Sequence, residues 1–132
     1  MIGLDTNVLV RYLTQDDPVQ SPKATELIER RFTEQEPGFI SVVAMVETVW
    51  VLERAYGLAQ ADIAAVIERT LQADTLIVDC EQEVFVAMIA LKDGRGSFAD
   101  ALIGALGARA GCSRTLTFDR KALRLANFER PS

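Results

Sequence analysis

The sequence predicts an α/β domain of three layers, with helices on both faces of a central parallel sheet, and three observations carry that prediction. Strand-like apolar runs recur at four places, helical periodicity fills the stretches between them, and glycines and prolines punctuate the junctions. Strands that alternate with helices pair in parallel, because each return crosses over through a helix that packs back on the sheet. In such an architecture ligand-handling residues collect at the carboxyl ends of the strands.

The elements follow in order. Met1 to Leu4 is the first strand. The helix after it carries Leu9 and Leu13 and closes at Gln15-Asp16-Asp17-Pro18, since Pro18 disfavours helical geometry at Asp17. Val19 to Glu34 is amphipathic, with Ala24, Leu27, Ile28 and Phe32 on one side. Gly38 to Ile40 is the second strand. Ser41 starts a long apolar helix through VVAMVETVWVLERAY, which ends at Gly57, a residue suited to the left-handed position after a helix. Ala61 to Leu71 is helical, Thr75 to Val78 is the third strand, and Gln82 to Leu91 and Phe98 to Ala110 are two more helices, the last stopped by Gly111. Arg114 to Thr117 is the fourth strand.

At 132 residues the chain is expected to form a single domain over 1–132, large enough for a core without disulfides or metal staples. With 49% apolar and 25% charged residues and no low-complexity linker, disorder is not expected. The apolar start is short and contains an acid, and no later run reaches membrane-spanning length without a charge, so a soluble cytoplasmic protein is the default expectation. Cys80 and Cys112 lack CxxC spacing and are expected to be small buried hydrophobes. The absence of histidine removes every Ser-His or Cys-His pair and every His-containing zinc site. Any chemistry must run on carboxylates, hydroxyls, Lys or Arg.

Four acids stand out. Asp5 and Asp119 both follow strands, in MIGLD and TLTFD. Glu47 is the only ionisable residue between Ile40 and Leu52, and Asp100 lies in the first turn of an apolar helix. Each has a structural alternative: Asp5 and Asp119 as caps, Asp100 in a capping box with Ser97, Glu47 at the rim of its helix. One cluster of four carboxylates accounts for all of them at once. Two carboxylates about 5 Å apart repel by roughly 3 kcal/mol at an effective dielectric near 20, so such a nest requires a cation. All-oxygen ligands select Mg²⁺ or Mn²⁺, ions that activate water and stabilise the leaving oxygen in phosphodiester or phosphate chemistry.

These residues resemble the PIN-domain nucleases: Asp5 in LDTNVLV, Ser41 and Glu47 in ISVVAMVE, Asp100 in FADALIGA and Asp119 in TFDRKAL. The short length looks like the VapC-type toxins of bacterial type II toxin-antitoxin systems, and the match runs from residue 1 to about residue 124. The resemblance implies a PIN-like parallel sheet between helices and a Mg²⁺- or Mn²⁺-dependent endoribonuclease. Asp5, Glu47, Asp100 and Asp119 would be the catalytic, metal-binding acids. Thr6, Asn7, Ser41 and Thr117 would be supporting polar residues that orient carboxylates, water or phosphate. It also implies a homodimer and a groove for a cognate VapB-type antitoxin. The sequence itself offers Trp50, Phe39, Phe32 and Tyr56 as aromatic anchors for a surface groove, with the core as the alternative for most of this apolar surface. Many relatives carry a further acid three positions before Asp100, where this chain has Ser97, so the resemblance does not carry over a second tightly held metal.

Charge is unevenly spread. Residues 1–91 hold six basic and fifteen acidic side chains, net −9, whereas residues 92–132 hold eight basic and four acidic, net +4. Arg95 and Arg120 are the best candidates for RNA-contacting residues on a phosphate-binding rim. Two other classes compete with the ribonuclease. In a haloacid-dehalogenase-like Mg²⁺ phosphatase Asp5 would be the nucleophile, but Asn7 replaces its usual second acid and Glu47 goes unexplained. In a non-catalytic PIN-fold binding module the partners would be kept and cleavage lost.

Overall fold

The structure is a computed structural model that describes residues 1–132. Its contacts group into two compact units, Met1–Glu81 and Gln82–Ser132. All the strands pair in parallel, as expected for α/β alternation, but in two ladders and not one continuous sheet.

The first unit holds a three-stranded ladder, β1 (Ile2–Gly3), β2 (Gly38–Ile40) and β3 (Leu76–Val78), in that spatial order. The register pairs Ile2 with Gly38 and Gly38 with Leu76, so β2 is the central strand. Backbone bonds extend the ladder past the strands: Leu4 N–H donates to Phe39 O and Asp79 N–H to Ile40 O, each at 2.9 Å. Residues that follow the strands therefore emerge from one edge.

Helix α1 (Thr6–Thr14) begins directly after β1. It closes where the polar break predicts, at Gln15, whose φ of 53° is left-handed and whose N–H donates to Arg11 O. The following helix is shorter than its periodicity suggests. It runs as α2 (Gln20–Glu26) and then widens into a π-turn over Leu27–Arg31, closed by Phe32 N–H to Leu27 O at 2.9 Å. Phe32 itself is extended and 3% exposed, in the core and not in a surface groove. Helix α3 (Val42–Arg54) starts at Ser41, whose Oγ accepts from Ala44 N at 3.1 Å, and the turn after it uses Gly57 at φ 61°. Helix α4 (Gln60–Gln72) packs on α3 and β3. Its inner stripe, Ile63, Ala64, Ile67 and Thr70, recurs at helical spacing and is buried.

Thr48 on α3 is 2% exposed, and its Oγ1 has no hydrogen-bond partner. Burying an unpaired hydroxyl costs about 1–3 kcal/mol. Thr48→Val, which keeps the shape and removes the hydroxyl, is expected to leave stability unchanged or raise it by about 1 kcal/mol in urea denaturation. A loss of that size would reveal a bonded hydroxyl.

A polar knot ties the end of α1 to the end of α3. Tyr56 Oη donates to Asp16 at 2.6 Å and Thr14 Oγ1 at 2.7 Å, while Arg11 Nη1 lies 3.2 Å from the same carboxylate. The Tyr56 and Thr14 bonds hold the Asp16 carboxyl below its ordinary value. The Gln20 and Val19 amides do the same for Asp17. A carboxyl whose folded pKa is depressed stabilises the fold above its unfolded pKa, near 3.9, and that contribution is lost as pH falls through the folded value. The urea midpoint is therefore expected to drop below about pH 4. Asp16→Asn should flatten that slope, and an unchanged slope would count against the knot.

The second unit contains most of α5 (Glu81–Lys92), then α6 (Phe98–Arg109), β4 (Thr115–Leu116), a 3₁₀ turn over Ala122–Arg124, and β5 (Phe128–Glu129). Phe98, Leu102, Val84, Met88 and Leu91 are almost fully buried. Strand β5 pairs in parallel with β4, Thr115 opposite Phe128. No such strand is predicted from NFERPS, which has neither alternation nor length. The cysteines do not form a disulfide and are not buried hydrophobes: Cys112 is exposed, and Cys80 is half-buried with φ 53°, its Sγ 3.7 Å from Asp79 Oδ1. Cys80 sits in the turn after β3 and Cys112 in the loop after α6, where the backbone and not side-chain hydrophobicity sets exposure. No helix is long and apolar enough to cross a membrane.

Candidate functional site

The residues that follow β1 and β2 meet through one side chain. Asp5 caps α1, its Oδ1 accepting from Thr6 N at 2.8 Å. Thr6 Oγ1 in turn donates to Glu47 Oε1 at 2.9 Å, joining positions 41 residues apart in the chain. Ser41 supports the same arrangement indirectly, by starting the helix that carries Glu47. Asp5 and Glu47 are both exposed, and each keeps a second oxygen without a protein partner. Asn7 is exposed and lines a cleft between α1 and α2.

In the second unit, Ser97 caps α6, its Oγ accepting from Asp100 N at 3.1 Å, as its place in the sequence predicts. Asp100 is half-buried, and its carboxylate forms no hydrogen bond or ion pair within the protein. After β4, Thr117 Oγ1 accepts from Asp119 N at 2.9 Å, and Asp119 Oδ1 accepts from Lys121 N at 2.8 Å. That turn fixes the exposed Asp119 carboxylate by one oxygen and leaves the other open. Arg95 lies 3.5 Å from Asp93, so part of its charge is spent locally, whereas the exposed Arg120 has no partner.

A family model described as the PIN domain matches residues 2–128. The chain belongs to the PIN-domain family. PIN domains are generally metal-dependent nucleases, and the match runs through both compact units. A search of curated proteins found no match.

In the first unit the Asp5 and Glu47 carboxylates, each with an open oxygen, and the Thr6 hydroxyl are all oxygen donors, the kind that suits a hard divalent cation. No three Cys, Asp or Glu side chains are gathered closely enough to hold an ion. In the first unit, Asp5 and Glu47 each give one oxygen to a protein donor, through the two faces of Thr6.

Asp79 is a strand-end acid that sequence reasoning passed over. It follows LIV of β3 as Asp5 follows MIGL, so the signal was the same. Adjacent strands lie about 4.8 Å apart, which puts β1 and β3 roughly 10 Å from one another. Asp79 is half-buried and belongs to no group of three Cys, Asp or Glu side chains close enough to hold an ion. Of the four aromatics expected as partner anchors, only Trp50 is well exposed, at 58%, with the Arg54 guanidinium 5.7 Å from its ring centre. Phe39 and Tyr56 are half-buried.

Proposed function

We propose that this PIN domain is a Mg²⁺- or Mn²⁺-dependent endoribonuclease and the toxin of a type II toxin-antitoxin pair, hydrolysing RNA phosphodiester bonds in the cytoplasm. The observation that supports it best is the Asp5–Thr6–Glu47 bridge, which couples a strand-end acid to an acid of α3 through the amide and hydroxyl of one residue within the PIN-domain match. Residues 1–132 act as one catalytic domain on this reading. Asp5, Glu47, Asp100 and Asp119 hold the metal, which when bound supplies an activated water and charge neutralisation at the scissile phosphate. Thr6 positions the Glu47 carboxylate. Asp5 ties that position to the start of α1, and Thr117 fixes the turn that presents Asp119. Arg120 and Arg95 contact RNA phosphates outside the cut, in the segment whose net charge is +4.

The protein acts as a homodimer held in check by a VapB-type antitoxin, and the exposed Trp50 on α3 is the best anchor for either partner. The test is incubation of total RNA with the purified protein in Mg²⁺, in Mn²⁺ and in excess EDTA. Discrete fragments are expected with either ion and none with the chelator, restored on adding metal back. Fragments that persist in EDTA, or no fragments under any condition, would refute the ribonuclease. Size-exclusion chromatography with light scattering checks the dimer, and a monomer at micromolar concentration would refute it.

A further inference from the structure

We infer that the cleft between α1 and α2 is a nucleotide subsite, taking one nucleoside monophosphate unit of an RNA strand. The inference deepens the ribonuclease reading and rests on it for the source of the nucleotide. The cleft has a volume of about 290 Å³. That is the lower edge of the range for small-molecule sites, about 300–1,000 Å³, and suits one nucleotide but not a stacked pair.

Its lining is amphipathic in the way a nucleotide requires. Val8, Ala24 and Leu27 give an apolar surface for a base, while Asn7, Gln20 and Lys23 give two carboxamides and an ammonium. Carboxamides read base edges because they donate and accept side by side. Lys23 is exposed and has no acidic partner, so its charge is available to a phosphate.

Gln20, one of the polar lining groups, is held in place before any ligand arrives. Arg11, which also lines the cleft, donates through Nε to Gln20 Oε1 at 2.9 Å and is itself fixed by Asp16 and Tyr56. That bond turns the Gln20 NH₂ away from Arg11, leaving two donors free for a base or phosphate oxygen. A donor fixed in advance loses less entropy on binding than a mobile one. The cleft also begins at Asn7, two residues after Asp5 on the same helix start, so a strand whose scissile phosphate is at Asp5 can place a neighbouring nucleotide there.

The test is a two-dimensional ¹⁵N NMR titration of the full chain, in EDTA, with each of the four nucleoside 5′-monophosphates. Ribose 5-phosphate and the free nucleosides serve as separate arms. Saturable shifts are expected at the side-chain amides of Asn7 and Gln20 and at the backbone of residues 23–27, larger for some bases than others. Lys23→Ala should weaken nucleotide binding about tenfold, equivalent to roughly 1.4 kcal/mol, without changing nucleoside binding. Gln20→Ala should reduce the difference between bases. Shifts absent from the cleft with all four nucleotides, or equal for ribose 5-phosphate, would overturn the inference. EDTA keeps metal at the acids out of the measurement. RNA cleavage with a silent cleft therefore removes only the subsite, and a responsive cleft without cleavage removes only the ribonuclease.

Discussion

Asp5→Asn is expected to lower metal-dependent RNA cleavage roughly 100-fold or more, a loss of about 2.7 kcal/mol in transition-state stabilisation, while the urea midpoint barely moves. The two effects separate because Asp5 uses its two oxygens differently. Oδ1 accepts from Thr6 N at 2.8 Å and starts α1, and an asparagine caps as well as an aspartate. The expected stability change is the lost charge at the helix N-terminus, about 0.3–1 kcal/mol. What asparagine cannot replace is the negative charge offered to a metal by the second oxygen. Asp5→Ala removes both roles and should cost a further 0.5–2 kcal/mol or so of stability. Cleavage kinetics and urea denaturation on wild type and both variants check the pair. Full activity in Asp5→Asn would leave the residue a cap and nothing more.

The same logic shows what a sequence discloses about a site. Local features were legible because they are decided within one turn of chain. Ser97 caps α6, the break before Pro18 ends α1, and Gly57 and Gly111 take positive φ after their helices, all where composition and order place them. Asp5 was legible as a cap for the same reason. Its link to Glu47 was not, because the bond runs through Thr6 across 41 residues, and periodicity carries no information on which side chains meet. The widened turn at Leu27–Arg31 was hidden too, since a π-turn and an α-turn share one hydrophobic pattern over five residues. Strand β5 escaped because its two residues exist as a strand only by pairing with Thr115 and Leu116. The exposure of Cys80 and Cys112 is set by the turn and the loop that carry them, which side-chain hydrophobicity does not encode.

A glycine at the start of the central strand ties the core to the site. At Gly38 an added Cβ would lie 2.4 Å from Phe32 Cε2, closer than carbon atoms approach, and 3.1 Å from a Leu76 methyl, tighter than an ordinary contact. Phe32 is 3% exposed, so its ring is packed in the core and moving it disturbs its neighbours. Nor can the strand slide, because Gly38 pairs with both neighbours and its N–H donates to Thr75 O at 2.9 Å. Gly38→Ala is therefore expected to destabilise the fold by about 2–3 kcal/mol, the upper part of the range for overpacking. Phe32→Leu in the same chain removes the clashing ring edge, so the double variant should be more stable than the sum of the single effects, with a coupling of about 1 kcal/mol or more. Strictly additive losses in urea denaturation would show that the contact is not the cause. The functional consequence follows from chain order: β2 leads directly into Ser41 and α3, which carries Glu47 to Thr6. A strand displaced by even a fraction of the missing space moves Glu47 relative to Asp5, so Gly38→Ala should lose cleavage activity beyond its loss of folded protein, and Phe32→Leu should restore both together.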